Sequence, residues 1–373
     1  MAVSQPKFKR IVHVIYSGLG GHGAMLFSLL GAGLFSSSSH HVVMAGVEPP
    51  LKNYTNQLDL MGLSWSYVKK RPGLDLDFYR RLSADFVKYK PDILFLNGLA
   101  ALPAVFGFCL RVGRHRPLIL LRESQAGHLK TRQDWILYVL SHFIVDHIVH
   151  LTAEAANGAE LKLKRLYRHQ KVTIIPNGLN TDFFKREPRR TEDTIVRIGM
   201  VSRLQANKDH ITLIKAFEKV QKSCSDKTFK LYIAGEGATR SRIKEEIATR
   251  RLQDSVVMCG MLDSSGVHDL MNELHLYVHA SFGETMSNSI MQAMAMQLPI
   301  VASDVGGIKN MVGTQFGLLY PCRDVDMLAQ QMLHIINNPN IANQYAARAR
   351  RNAEKAYDLQ EIVEKYESLV NFD

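Results

Sequence analysis

The chain has 373 residues, 46% of them hydrophobic, so we expect two domains, each large enough to bury its own core. Its four cysteines are widely spaced and exclude a compact metal or redox motif. The first residues match no signal-peptide pattern and favour a cytoplasmic location.

The formal charge of +11 at pH 7 is distributed unevenly. Residues 1–190 hold 26 Lys and Arg against 13 Asp and Glu, a net of +13, whereas residues 191–373 have a net of −2. This asymmetry predicts an anionic partner for the first half, such as a membrane surface or an acidic glycan or lipid. Nucleic acid is not expected, because no basic motif interleaved with aromatic residues occurs.

In the first half, short apolar runs predict strands that alternate with helical patterns. These strands are expected at 11–16, 41–44, 65–68, 93–96, 118–121, 147–151 and 172–175. The apolar stretch 93–110 is long enough for a membrane span, but Asn97-Gly98 divides it, so we interpret it as a strand, a loop and a helix.

The second half repeats the pattern. Strands are expected at 196–201, 230–234, 256–259, 276–278, 300–302 and 317–319. Alternating β and α elements predict an α/β protein with two doubly wound Rossmann-like domains that face a cleft. We place an acceptor-binding domain at 1–180, a donor-binding domain at 181–355, and a C-terminal helix at 356–373 that crosses back to the first domain.

A glycine-rich turn follows the first predicted strand. Gly18, Gly20 and Gly23 have the spacing of a dinucleotide-binding turn, and Glu48 follows near the end of the second strand. This pattern alone favours an NAD-dependent oxidoreductase, which we keep as an alternative. Glycines at this place also let the backbone approach other ligands closely.

Cations and glycines follow two strands of the second half. Arg203 and Lys208 flank the loop after the strand 196–201, where a guanidinium fork and a compact ammonium suit a diphosphate. Gly235 and Gly237 follow the next strand and could border a nucleotide pocket.

The segment 281–307 is the most informative one. Glu284 lies in a loop, and the residues that open the next helix are expected to present free N–H groups to a phosphate. These residues are Thr285, Met286, Ser287 and Asn288. Because Glu284 is better suited to hydroxyls than to a bare phosphate, the segment predicts a ligand with both phosphate and sugar.

Together these motifs resemble those of retaining nucleotide-sugar glycosyltransferases of family 4, which have the two-domain GT-B fold. The resemblance includes the PNGLNTDFF segment from Pro176, the Gly199–Leu204 loop with Lys208, and the Ala234–Gly237 turn. It also includes the family's two glutamates with seven residues between them, which correspond here to Glu284 and Gln292.

The resemblance implies roles for these residues. Arg203 and Lys208 would neutralise the departing diphosphate, so that no metal is required, and Glu284 with the following backbone would bind the donor. Gln292 would bind the ribose, although the family usually has Glu at this position. The turn at Gly20 and Gly21 would close over the donor.

Besides Gln292, a second departure from the family's pattern lies at the reaction centre. The family often has His after the strand matching 118–121, whereas this sequence has Glu123 at the equivalent position, with His128 as the alternative. A carboxylate there could accept the proton of the acceptor hydroxyl.

The sequence therefore predicts a retaining hexosyltransferase that uses a nucleoside-diphosphate sugar such as a UDP-sugar. Its acceptor would be a glycan or lipid-linked glycan of cell-envelope polysaccharide or lipopolysaccharide synthesis, at the inner face of the cell membrane. The alternatives are the oxidoreductase and a degenerate, non-catalytic sugar-binding protein, the latter favoured by Gln292 and the missing His.

Overall fold

A computed structural model of the chain describes residues 9–18, 21–73, 75–125, 127, 130–187 and 194–370. Contacts divide the chain into two compact units. Unit 1 comprises Met1–Gly178 and Leu359–Asp373, and unit 2 comprises Leu179–Asp358.

The strands and helices follow in regular alternation. In unit 1 the strands are β1 (Arg10–Tyr16), β2 (Ser39–Gly46), β3 (Ser64–Lys69), β4 (Ile93–Asn97), β5 (Leu118–Glu123), β6 (His147–His150) and β7 (Val172–Ile174). In unit 2 they are β8 (Ile195–Val201), β9 (Thr228–Ala234), β10 (Val256–Gly260), β11 (Leu276–His279), β12 (Ile300–Ser303) and β13 (Leu318–Tyr320). The α-helices are α1 (Gly21–Gly31), α2 (Lys52–Leu60), α3 (Leu76–Tyr89), α4 (Leu102–Val112), α5 (Arg132–Ile144), α6 (Ala153–Leu163), α7 (His210–Ser223), α8 (Arg240–Thr249), α9 (Ser264–Glu273), α10 (Asn288–Ala295), α11 (Gly306–Val312), α12 (Val325–Asn337), α13 (Pro339–Ala356) and α14 (Leu359–Ser368).

The described residues of each unit form one parallel sheet. The strand order is β3-β2-β1-β4-β5-β6-β7 in unit 1 and β10-β9-β8-β11-β12-β13 in unit 2. The central strands are nearly continuous apolar runs because helices cover both faces of such sheets; Ile93 to Leu96 of β4, for example, are fully buried. The predicted class, two doubly wound Rossmann-like α/β domains, is confirmed.

In unit 1, the helices that follow β3 to β6 cover one face of the sheet. Phe86 of α3, Val105 of α4 and Tyr138 of α5 belong to one buried cluster there. The end of the chain covers the other face, where Tyr366 of α14 packs near Phe95 of β4. Helix α14 therefore completes the core of unit 1.

In unit 2, the helices divide between the two faces of the sheet. Phe217 of α7 and Met332 of α12 lie in the core on one face, whereas Met291 of α10 and Met311 of α11 lie in the core on the other. Strands β8 and β11 are adjacent, but the helices that follow them, α7 and α10, cover opposite faces of the sheet. Doubly wound sheets bind ligands at the carboxyl edge where the connections diverge in this way.

Candidate functional site

The loops that follow β8 and β11 are joined at the carboxyl edge of the unit 2 sheet. Lys208 pairs with Ser281 in an isolated antiparallel β-bridge, and the amide of Phe282 donates to the carbonyl oxygen of Asn207 at 2.9 Å. These backbone contacts bring Lys208 next to Glu284, which is 76 residues further along the chain.

Lys208, Glu284 and His279 form a sheltered cluster. Oε1 of Glu284 forms an ion pair with Nζ of Lys208 and lies 2.5 Å from Nε2 of His279. Only 8% of the Lys208 side chain and 14% of the Glu284 side chain are exposed, and His279 is fully buried. One carboxylate oxygen therefore accepts from two side chains.

The surroundings of Glu284 keep it ionised. Burial alone raises the pKa of its carboxyl group, but the interactions with His279 and Lys208 are stronger and lower the pKa to about 2. Burial lowers the pKa of His279, and the neighbouring Glu284 opposes this shift. Because an ionised carboxylate only accepts hydrogen bonds, Nε2 of His279 donates to Glu284.

Tyr277 contacts the other ring nitrogen of His279. The Tyr277 hydroxyl lies 3.1 Å from Nδ1 of His279, and both side chains are buried. The same hydroxyl donates to the carbonyl oxygen of Val201 at 3.3 Å, so its contact with Nδ1 limits rotation of the His279 ring. The chain from Tyr277 through His279 anchors Glu284 to strand β11.

The segment after Glu284 opens helix α10 as predicted from the sequence. Ser287 is the N-cap, and its Oγ accepts from the amide of Ile290 at 3.4 Å. The other predicted residues of this segment are partly exposed: Thr285, Met286, Asn288 and Gln292. They lie in the last loop residues and the first turns of α10, adjacent to the cluster.

The glycine turn after β9 packs against the loop that carries Arg203. Gly235 and Gly237 have φ angles of 137° and 154°. A Cβ at Gly235 would lie 1.9 Å from the carbonyl oxygen of Ser202, and one at Gly237 would lie 2.3 Å from that of Leu204. Only glycine allows this approach. Arg203 itself is exposed and has no ion pair with another described residue.

Gly307 has a similar role on the other side of Glu284. A Cβ there would lie 2.3 Å from the carbonyl oxygen of Glu284 and 2.2 Å from that of Thr285. The start of α11 therefore presses directly against the loop that positions the carboxylate.

The predicted residue Glu123 lies in unit 1, at the end of β5. It is 2% exposed, and its Oε1 lies 3.0 Å from Nζ of Lys130 and accepts from the amide of Gln125 at 2.8 Å. Burial raises the pKa of Glu123, and the nearby Lys130 opposes this shift. His128, the alternative residue, lies outside the described residues.

The glycine turn of unit 1 is described only in part. Gly20 lies outside the described residues, and Gly21 begins α1. A Cβ at Gly18 would lie 2.3 Å from Oε2 of Glu48. The space beside Gly18 is therefore taken by the Glu48 side chain.

Sequence reasoning missed three residues of these clusters: His279, Tyr277 and Lys130. A signal existed for His279, because it ends the apolar strand 276–279 directly before the loop of Glu284. A polar ring at the carboxyl end of a buried parallel strand faces the usual ligand edge. No comparable sequence pattern indicated a role for Lys130.

The fold of this chain is similar to that of solved glycosyltransferase structures. The chain superposes on the crystal structure of Anabaena Alr3699/HepE in complex with UDP and glucose with a TM-score of 0.81, at 16% identity, over 97% of this chain and 100% of that one. The GT-B fold of glycosyltransferases is therefore the fold of this chain.

The family match lies in unit 2. Residues 195–338 match the family described as Glycosyl transferases group 1, so the resemblance to glycosyltransferases is confirmed. The gpi3 subunit of phosphatidylinositol N-acetylglucosaminyltransferase from Schizosaccharomyces pombe is 26% identical over 168 residues, 45% of this chain and 36% of that protein. Poly(ribitol-phosphate) alpha-N-acetylglucosaminyltransferase from Staphylococcus aureus is 27% identical over 176 residues, 47% of this chain and 35% of that protein. The matches thus span little more than a third of these relatives' length.

Proposed function

We propose that the chain transfers a hexosyl group from a nucleoside-diphosphate sugar to an acceptor hydroxyl with retained anomeric configuration. The observation that carries this proposal is the buried Lys208–Glu284 pair beside the N-terminus of α10. It combines a cation for phosphate with a carboxylate for hydroxyls at the ligand edge of the sheet. The UDP and glucose bound by the HepE protein support the same class of donor.

Lys208 and Arg203 would stabilise the leaving diphosphate. An ammonium group has three N–H donors, and the pair with Glu284 uses only one of them. Lys208 can therefore bind a phosphate oxygen while Glu284 holds it in position. Arg203 is exposed on the same loop and is available for the second phosphate. Fixed charges of this kind are usually the largest contribution to catalysis in such a transfer.

The remaining groups would bind the donor. Glu284, oriented by His279, would accept hydrogen bonds from sugar hydroxyls, and Gln292 would accept one from the ribose. The backbone from Thr285 to Asn288 would approach the phosphates, and the turn at Gly235 and Gly237 would border the nucleotide.

On the acceptor side, Glu123 would take the proton of the attacking hydroxyl. Burial raises the pKa of Glu123, which makes its carboxylate a stronger base. The acceptor would attack the face of the sugar that the diphosphate leaves, which retains the configuration. Arg203 and Lys208 would provide the charge that a metal provides in other transferases.

A donor panel tests this proposal. We expect transfer or slow hydrolysis with one or more UDP-sugars, measured as release of UDP from a set of UDP-, GDP- and ADP-sugars. NADH and NAD should neither bind nor react. Binding of a nucleotide sugar without any turnover on a range of acceptors would instead favour the non-catalytic sugar-binding protein, for which Gln292 is the specific observation.

We further propose that unit 1 docks on an anionic membrane surface through an apolar–basic face on α4 and α5. Five exposed apolar side chains form its centre: Phe106, Leu110, Ile136, Leu140 and Phe143. They recur at helical spacing on two helices that contact each other. Leu110 is 71% exposed and Ile136 is 63% exposed, and large exposed apolar side chains grouped on neighbouring helices often mark an interaction surface.

Cations border this apolar–basic face. Arg111, Arg114 and Arg132 are exposed, and the guanidinium of Arg168 stands 4.4 Å from the ring centre of Phe143. Apolar side chains surrounded by basic ones match the interface of an anionic bilayer. No helix among the described residues is long and apolar enough to cross a membrane. The two relatives' names, which include phosphatidylinositol and poly(ribitol-phosphate), support an anionic acceptor.

Liposome co-sedimentation tests the membrane proposal. The chain should bind vesicles of phosphatidylglycerol more strongly than vesicles of phosphatidylcholine, and salt should weaken this binding because it screens the charges. Leu110→Ser combined with Ile136→Ser should reduce binding at least about fivefold, since apolar contact is lost. The matched control is Leu60→Ser with Leu76→Ser, which removes equally exposed leucines outside this face. Equal binding by both double variants would contradict the proposal.

A further inference from the structure

Unit 2 contains a second candidate site, a pocket next to the proposed donor site. Its volume is about 460 Å³, within the range of roughly 300–1,000 Å³ that is typical of small-molecule sites. The first turns of α7, α8 and α12 line it, together with Phe282 from the loop after β11. Of the residues predicted to bind the donor, only Lys208 lines this pocket.

The pocket is strongly basic. Lys215, Arg242 and Arg323 line it, and none of the three forms an ion pair with another residue in the part of the chain that the structure describes. The guanidinium of Arg323 stands 4.8 Å from the ring centre of Phe282, which holds it at the rim. These three cations make the pocket attractive to an anion.

The pocket also has polar atoms that lack a partner. Oγ1 of Thr239 and Oδ2 of Asp209 are buried and have no hydrogen-bond partner among the described residues. Asp209 is 5% exposed, and its other oxygen accepts from the amide of Thr212 at 3.2 Å as the cap of α7. A buried acceptor without a donor is costly, and a ligand hydroxyl would satisfy it.

We infer that this pocket binds a small phosphate ester that also carries hydroxyl groups. The phosphate would lie between Lys215, Arg242 and Arg323, where several cations can share its charge. Hydroxyl groups would donate to Asp209 and accept from Thr239. The three cations that would hold the phosphate are not part of the proposed donor site, so occupation of this pocket does not depend on the transfer activity.

Calorimetric titration of the full chain tests this inference, with glucose 6-phosphate as the probe and inorganic phosphate and glucose as comparisons. Glucose 6-phosphate should bind more tightly than inorganic phosphate, and glucose should not bind measurably. Lys215→Ala combined with Arg242→Ala should weaken the phosphate ester at least about tenfold, because charge-assisted hydrogen bonds are lost.

Three controls make the test specific. Lys244→Ala with Arg348→Ala removes two exposed cations that do not line the pocket, and should leave affinity unchanged. Thr239→Val should weaken glucose 6-phosphate but not inorganic phosphate. Saturating UDP should leave the binding intact. Displacement by UDP, or equal affinity of the Lys215/Arg242 double variant and the unmodified chain, would overturn the inference.

Discussion

Lys208→Ala should lower the turnover of sugar transfer about 10²–10³-fold, because one preorganised charge at the leaving group is removed. The side chain is 8% exposed and is held by Glu284, so water and buffer cations cannot easily replace it. The measurement is the initial rate of UDP release with the best donor of the panel. The Michaelis constant for the donor should change less than the turnover, since the charge on the diphosphate grows in the transition state.

Two controls separate catalysis from folding. Lys244→Ala removes an exposed lysine of the same unit and should retain full activity. Lys208→Arg keeps the charge but not the compact shape, and should recover part of the rate. Thermal melting of Lys208→Ala should remain a single sharp transition for unit 2. Turnover within about threefold of the unmodified chain would be incompatible with a role of Lys208 at the diphosphate.

Lys130→Met should destabilise unit 1 by about 3–5 kcal/mol, because it leaves the buried Glu123 carboxylate without its cation. Both side chains are at most 3% exposed, so solvent cannot compensate for the loss. Urea unfolding followed by tryptophan fluorescence reports on this unit, since both tryptophans, Trp65 and Trp135, belong to unit 1.

The destabilisation caused by Lys130→Met should depend on pH in a defined direction. In the variant, burial raises the pKa of Glu123 without opposition from Lys130, so the folded state binds a proton more readily than the unfolded state. Stability then falls as the pH rises through the raised pKa. The loss measured at pH 8 should therefore exceed the loss at pH 5.

Two controls apply to Lys130→Met: a double variant that removes both charges of the buried pair, and a variant that breaks an exposed ion pair. Glu123→Gln with Lys130→Met removes both charges and should be less destabilised than Lys130→Met alone. Arg80→Met breaks the exposed pair with Asp77 and should cost less than about 1 kcal/mol. A cost for Lys130→Met as small as that of Arg80→Met would refute the buried-pair argument.

Much of the fold could be predicted from local patterns. Apolar runs such as 93–96 and 300–302 are continuous because parallel strands are buried on both faces. Helix α2 shows no clear helical pattern in the sequence, because only Tyr54 and Leu58 of its residues are buried, which leaves little apolar periodicity. Helix α11 shows none either, because its seven residues are too few for a helical pattern to be distinguished from a loop.

The candidate site could be predicted as a set of motifs but not as a set of contacts. The loops of Lys208 and Glu284 were identified separately, each from its position after a strand. Their ion pair depends on the adjacency of β8 and β11, which the order of elements in the chain does not specify. His279 was overlooked because its neighbours in sequence are apolar.

The sequence by itself determined the α/β class, the positions of the strands and the residue types at their carboxyl ends, because these depend on local periodicity and turn chemistry. The tertiary structure alone decided which of those residues meet and which protonation states they hold. Glu284 is ionised because Lys208 and His279 surround it, and Glu123 is buried because Lys130 folds back onto it. Burial and charge pairing act between residues distant in the chain, so only the folded arrangement of strands and loops determines them.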